Sequence, residues 1–256
     1  MSLVLNSRPS DGVTLLQLNR PEKRNALSSG LIGAIAAELA AAAEDAGTRC
    51  VVLTGNEKAF SAGADIKEMV ERGVDALKDR KRHQDWAAIQ NFAKPMIAAV
   101  EGFAFGGGHE LAMLADIVIA ADDARFGQPE INIGILPGDG ATQRIPRSVG
   151  KSLAMKMILT GEPIDARTAL AAGLLAEVTE PGKALDRALA LAAVIASKGP
   201  VAARLAKAAV LHAYESTLEE GLRFEREAVF TAFDTEDQTE GMTAFLEKRP
   251  PKFAGR

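Results

Sequence analysis

A chain of 256 residues with 47% apolar and 25% charged side chains is long enough to bury a large core and too apolar to stay disordered. Its net charge of −4 gives nucleic-acid binding no electrostatic support, and a single cysteine, Cys50, excludes an internal disulfide, so the chain reads as intracellular and cytoplasmic. Residues 1–8 lack the basic flank and apolar core of a signal peptide, and Asp116 interrupts the apolar stretch 111–121, so neither a leader nor a membrane span is expected.

Residues 13–18, aliphatic and imperfectly alternating, predict a strand; the polar stretch 19–25 with Pro21 predicts a loop. Ser28 is placed to cap a helix running through Ala46, with Leu31, Ile32, Ile35 and Leu39 on one face and Gly47 as its stop. Short apolar runs at 50–54, 97–100 and 117–121 predict further strands, and helical patterns separate them. That alternation is α/β. Cys50, inside the first of these runs, is expected to be a core residue rather than a nucleophile. Beyond Pro181 the pattern is helical, and Leu222, Val229, Phe230 and Phe233 share one helical face. The expected organisation is an α/β core over 1–195 and a helical region over 196–256. The apolar faces of the latter need burial on the core or on another subunit.

The segment Gly102-Phe103-Ala104-Phe105-Gly106-Gly107-Gly108-His109-Glu110 follows the strand at 97–100 and opens a helical pattern at 111–115. Three consecutive glycines are costly in backbone entropy. A tight strand-to-helix turn would explain them; so would close approach of a ligand to free N–H groups at a helix start, which is the geometry of an oxyanion hole. A dinucleotide turn is excluded because Gly102 is followed next by Gly106, and a phosphate loop ending in Gly150-Lys151-Ser152 is excluded because Ile145 stands where its first glycine belongs. Glu110, at the start of a helix, is expected to have its pKa lowered by the helix dipole, as suits a base. Glu130, among apolar neighbours in 126–134, is expected to hold its proton, as suits an acid. Nothing in the sequence alone brings the two carboxyls together. The small residues of 60–65 lead to a helix start at Asp65 and offer either a second N–H donor or simply an Asp-capped turn. His109 has no partner histidine at metal-ligand spacing, so no metal site is expected, and no G-x-S-x-G elbow signals a hydrolase triad.

Together these segments resemble the enoyl-CoA hydratase/isomerase, or crotonase, family. The resemblance runs through Leu18-Asn19-Arg20-Pro21, Asn25-Ala26-Leu27, 61–69, Lys94-Pro95 with 97–100, the glycine run and Gln128-Pro129-Glu130. It ends in Glu240-Gly241-Met242, Ala244-Phe245 and Glu247-Lys248-Arg249. It implies an α/β fold, a crotonase-like spiral of repeated ββα units, with C-terminal helices that build trimers or hexamers. It implies an acyl-CoA thioester substrate and no separate cofactor. The thioester oxygen would sit between the N–H groups of Ala64 and Gly107. Glu110 would activate water for attack at C3, Glu130 would supply the proton to C2, and Gly138 would help hold the water. The CoA moiety would lie along Ala62, Ala64, Asp65, Ile66 and Lys67 and reach Glu22, Lys23 and Arg24 at its adenine end, with Phe245 and Lys248 extending to a neighbouring subunit's CoA.

The presence of both glutamates favours hydration over double-bond migration. Isomerisation is the alternative within the family; a non-catalytic CoA- or RNA-binding member is the alternative outside catalysis. Segments 147–154 and 253–256 are similar to bacterial hydratases of phenylacetate degradation. The chain departs from the family pattern at Asp139 and Ala141, where 138–141 is usually Gly-Ala-Gly-Gly, and at Glu101, where asparagine is usual. Both departures bear on substrate preference. Trp86, Phe103 and Met69 are candidates for the acyl pocket or for ordinary core.

Overall fold

The structure, a computed structural model, describes residues 2–256. Nine strands are found among the described residues: β1 (Val4–Ser10), β2 (Gly12–Leu18), β3 (Thr48–Thr54), β4 (Met96–Val100), β5 (Phe103–Phe105), β6 (Ile117–Ala121), β7 (Arg125–Gly127), β8 (Ile164–Asp165) and β9 (Glu177–Thr179). The α-helices are α1 (Ser29–Glu44), α2 (Ile66–Arg72), α3 (Val74–Lys78), α4 (Arg80–Gln90), α5 (Gly107–Ala112), α6 (Ala141–Thr160), α7 (Ala166–Ala171), α8 (Ala184–Ala196), α9 (Pro200–His212), α10 (Leu218–Phe233) and α11 (Glu236–Leu246).

The larger sheet has the order β1-β2-β3-β4-β6-β9 and is parallel except for the β1–β2 hairpin. Its central strands are covered on both faces, which is why they read as unbroken apolar runs rather than alternating ones. Val51, Leu53, Ala98 and Val100 join the core that contains α1 and α4. Cys50, Val52, Ile97 and Ala99 point the other way, against Ala184, Ala188, Ala192 and Ala196 of α8. Those four alanines recur every fourth residue and let the helix lie close on the sheet. Each large aliphatic side chain so buried contributes roughly 1.5–3 kcal/mol. Cys50 is fully buried and burial pushes its thiol up to about 12, as befits a core residue. β1 is missed in the sequence because it is an edge strand, exposed along almost its whole length.

Helix α1 starts where expected, with the Ser28 side chain accepting the Leu31 N–H at 3.2 Å. It stops at Glu44, two residues short of the expected end. The Asp45 carboxylate accepts from the Gly47 N–H (2.9 Å) and the Thr48 hydroxyl (2.7 Å), and this local turn displaces the helix.

The chain winds in successive strand–strand–helix turns. β4 leads to β5 and α5; β6 leads to β7, a 3-10 turn at Pro129–Ile133, and α6. The first strand of each turn enters the larger sheet and the second enters the small sheet β5-β7-β8. The preceding turn does the same in reduced form: after β3, Ser61 bridges to Ala104 and Ala64 bridges to Leu27 before α2 begins. Ala64, Gly107 and Glu130 therefore occupy related points of consecutive turns, each just past the second strand or bridge.

Beyond α8 only helices follow among the described residues, as the sequence predicts. Leu222, Val229, Phe230 and Phe233 all face solvent in the single chain, and Phe245 and Leu246 are 81% and 80% exposed. No single helix among the described residues is long and apolar enough to cross a membrane.

Candidate active site

The glycine run is demanded by the close packing of the site's own parts. Gly106 sits at φ 51°, in the left-handed region, and a Cβ there would lie 2.6 Å from Glu130 Oε1. At Gly108 a Cβ would meet the Ser61 carbonyl oxygen at 2.5 Å. Gly107 begins α5, so its N–H has no partner within the helix. Ala64 directs its N–H away from the Leu27 bridge, and neither N–H has an acceptor among the described residues. The two donors are close: a Cβ on Gly107 would be 3.7 Å from the Ala64 nitrogen.

Glu110 is 2% exposed. Its Oε1 accepts the N–H of Asp139 and the N–H of Ala141, each at 2.8 Å. Burial pushes its carboxyl up to about 7; the two N–H donors pull the other way, and the charges of Asp139 and Glu130 add to the rise. The lowering expected from the helix dipole is thus corrected. Helix α5 is six residues long, and loss of water outweighs what its terminus supplies. Glu130, in the 3-10 turn, is also raised, by burial first and by Asp139 in addition, in the expected direction.

Gln128 supports this acid from below. In the amide orientation that satisfies both ends, its nitrogen donates to the two Glu130 carboxyl oxygens (3.1 and 3.2 Å) and its oxygen accepts from His109 Nδ1 at 3.2 Å. His109 is buried, and burial drives it down to about 4, so the ring is neutral. Its place is structural, as the sequence suggests.

Ala64, Asp65, Gly107, Glu110, Glu130 and Gly138 line one cavity of about 490 Å³, together with Leu27, Met69 and Leu136. Ala62, Ile66, Lys67, Lys23 and Arg24 do not line it. Ala62 donates its N–H to the Arg24 carbonyl at 2.9 Å, which ties the loop carrying Lys23 and Arg24 to the Ala64 segment. Lys23, Arg24, Ile66 and Lys67 are exposed. Asp65 caps α2 by accepting the Glu68 N–H and pairs with Arg20 at 3.0 Å. Phe245 and Lys248, on and after α11, are exposed and do not reach this cavity.

Of the pocket candidates, Met69 lines the cavity. Trp86 lines a neighbouring cleft behind the Gly138–Asp139 loop, and Phe103 stacks on Phe105 at 4.8 Å outside both. Glu101, the departure from the family's asparagine, lies outside the cavity: it accepts the N–H groups of Gly182 (3.0 Å) and Ala184 (2.9 Å) at the start of α8. The sequence did not point to Leu27, Leu136 or Arg82 in the cavity wall, nor to the main-chain donors of Asp139 and Ala141. The only signal for the donors was the unusual 138–141 loop.

The family model described as enoyl-CoA hydratase/isomerase matches residues 8–256. The 2,3-dehydroadipyl-CoA hydratase of Escherichia coli (strain K12) is 48% identical over 256 residues, covering 100% of both chains. The probable enoyl-CoA hydratase of Rhizobium meliloti (strain 1021) is 49% identical over 246 residues, 95% of each chain. Among solved structures, the enoyl-CoA hydratase of Bacillus anthracis matches with a TM-score of 0.94 at 37% identity, covering 99% of this chain and 100% of that one. The strand–strand–helix spiral is thus the crotonase fold, and sequence pattern, identity and fold agree along nearly the whole length: the chain belongs to the enoyl-CoA hydratase/isomerase family.

Proposed function

We propose that the protein is an enoyl-CoA hydratase that adds water syn across the C2=C3 bond of a trans-2-enoyl-CoA to give a 3-hydroxyacyl-CoA. The observation that carries this is the shared cavity of Glu110, Glu130 and the two unengaged N–H groups of Ala64 and Gly107. The thioester oxygen lies between those N–H groups, which stabilise the enolate as charge moves onto oxygen. Glu110 takes a proton from water as its oxygen bonds to C3, and Glu130 gives its proton to C2 as the enolate collapses. The two carboxyls then re-equilibrate with solvent. Burial raises both carboxyls, Glu110 to about 7, which brings proton exchange at this pair closer to neutral pH. Gly138 stands in the loop beside the Glu110 donors, where it holds the water. The scheme uses no cofactor beyond the CoA of the substrate.

The CoA chain runs past Ala62, Asp65, Ile66 and Lys67 to the loop of Lys23 and Arg24, which the Ala62 N–H to Arg24 carbonyl bond holds beside the Ala64 segment. The exposed faces of α10 and α11 pair with other copies in a trimer or hexamer, which brings Phe245 and Lys248 to a neighbouring CoA. Light scattering on the purified protein tests that assembly.

The relative named 2,3-dehydroadipyl-CoA hydratase supports assaying an enoyl-CoA with a terminal carboxylate beside crotonyl-CoA. Hydration is followed as loss of the conjugated enoyl-thioester absorbance. Turnover of either substrate, abolished by Glu110→Gln and by Glu130→Gln, is the expected result. A wild type that hydrates neither, yet converts a 3-enoyl-CoA to its 2-enoyl isomer, assigns the isomerase instead.

A further inference from the structure

The loop that holds Glu110 carries a side chain the proposed reaction does not use. Both carboxylate oxygens of Asp139 receive the guanidinium fork of Arg82 from α4, Nη1 to Oδ1 at 2.9 Å and Nη2 to Oδ2 at 2.5 Å. The two side chains are only 12% and 15% exposed. The Arg82 guanidinium also lies over the Trp86 ring, 5.7 Å from its centre. A bidentate pair of this kind fixes direction as well as distance. The Asp139 backbone is used at the same time: its N–H donates to Glu110 Oε1 at 2.8 Å, and its carbonyl accepts from Arg144 Nη1 at 3.1 Å.

We propose that Arg82 is a positioning residue for the base: acting through Asp139, it balances the charge that this residue introduces beside Glu110 and holds the Asp139 N–H against the Glu110 carboxylate. The geometry stands by itself; the catalytic consequence rests on the hydratase reading above.

The charged surroundings of Glu110 give the sign. Asp139 faces it from the loop and Glu130 from the 3-10 turn, both raising its pKa. Arg144 faces it from α6 and is itself influenced by Glu215 and Arg147. On its own helix, His109 is neutral. A third carboxylate near the buried Glu110 and the half-buried Glu130 works against the ionised base unless a counter-charge accompanies it. Arg82 is that counter-charge, so the two residues form one device: Arg82 matters because Asp139 is there.

The test uses the full-length protein as wild type, Arg82→Met, Arg82→Lys, Asp139→Asn and Arg82→Met/Asp139→Asn. Two quantities are read: the pH profile of kcat with crotonyl-CoA, and the titration midpoint of the Glu110 carboxyl by NMR with carboxyl-13C glutamate, assigned through Glu110→Gln. Arg82→Met is expected to raise the midpoint by about half a pH unit or more, and Asp139→Asn to lower it. In the double variant the midpoint is expected to fall back to near that of Asp139→Asn, because the charge to be balanced is gone. Arg82→Lys, with the charge but not the fork, should lie between wild type and Arg82→Met. At pH 7, kcat of Arg82→Met should drop about tenfold with KM changed much less, as expected for a misplaced base. Unmoved midpoints in Arg82→Met and Asp139→Asn, or shifts that simply add in the double variant, overturn the proposal. Should Arg82→Met not fold, Arg82→Lys and the near-isosteric Asp139→Asn decide by the same midpoints. If the wild type hydrates no enoyl-CoA, the function assignment fails, and the NMR titration still decides whether Arg82 acts on Glu110.

Discussion

The backbone N–H of Asp139 lies 2.8 Å from Glu110 Oε1, so the candidate base is oriented by the main chain of a loop. A second main-chain donor, from Ala141, shares the same oxygen, and the other carboxyl oxygen lies on the side of Gly107, 3.9 Å from where a Cβ on that residue would be. A side-chain partner would add rotamer freedom; a backbone donor at a helix start does not.

Removing the proton-transfer capacity of either glutamate is expected to lower kcat by about 10²–10⁴-fold. Glu110→Gln and Glu130→Gln preserve shape, so affinity for CoA, measured calorimetrically, should stay within about threefold of wild type. Retained turnover in either variant removes that residue from the mechanism.

The raised Glu110 carboxyl makes a stability prediction with a definite sign. Its folded pKa, about 7, lies above the ordinary value of 4.5, so between those pH values the folded state holds more protons than the unfolded one. Stability therefore falls as pH rises from about 4.5 to 7, by on the order of 3 kcal/mol from this group. Glu110→Gln should abolish that slope and be more stable than wild type at pH 8, relative to its standing at pH 5. Urea unfolding of both proteins across pH 5–8 checks it. In the wild type the same group should place the acidic limb of kcat/KM near pH 7.

Gly106→Ala strains a left-handed backbone position and drives a methyl group into Glu130 Oε1. The expected cost is about 1–3 kcal/mol in stability and, because the acid must move, about 10²-fold in kcat. Thermal unfolding and steady-state kinetics measure the two. Wild-type kcat in a folded Gly106→Ala protein would show that the position of Glu130 is not critical.

Glu101→Ala removes the acceptor for the N–H groups of Gly182 and Ala184 at the start of α8. Stability should fall by about 1 kcal/mol, the usual worth of a helix cap, while kcat and KM stay within about twofold. A change in chain-length preference would contradict the capping role.

The buried strands, the Ser28-capped helix and the helical C-terminal region were legible in the sequence because each depends on local pattern: apolar runs, a capping side chain, a 3.6-residue period. The joint occurrence of the glycine run with Glu110, Glu130 and the Ala64 segment also singled out residues that line one cavity. What sequence could not determine was anything set by residues far apart in the chain. The edge strand β1 and the three-residue strands of the small sheet take their conformation from partners rather than from their own pattern. The pKa of Glu110 does not follow from its helix position, because burial dominates it and the groups that modulate it, the Asp139 and Ala141 N–H donors and the Asp139 and Glu130 charges, lie about twenty to thirty positions away. Asp139 showed as an unusual residue, but its counter-ion, Arg82, lies 57 positions earlier on another helix. Local chemistry is written in consecutive residues; electrostatic environment is a sum over neighbours in space, and only folding assembles those neighbours.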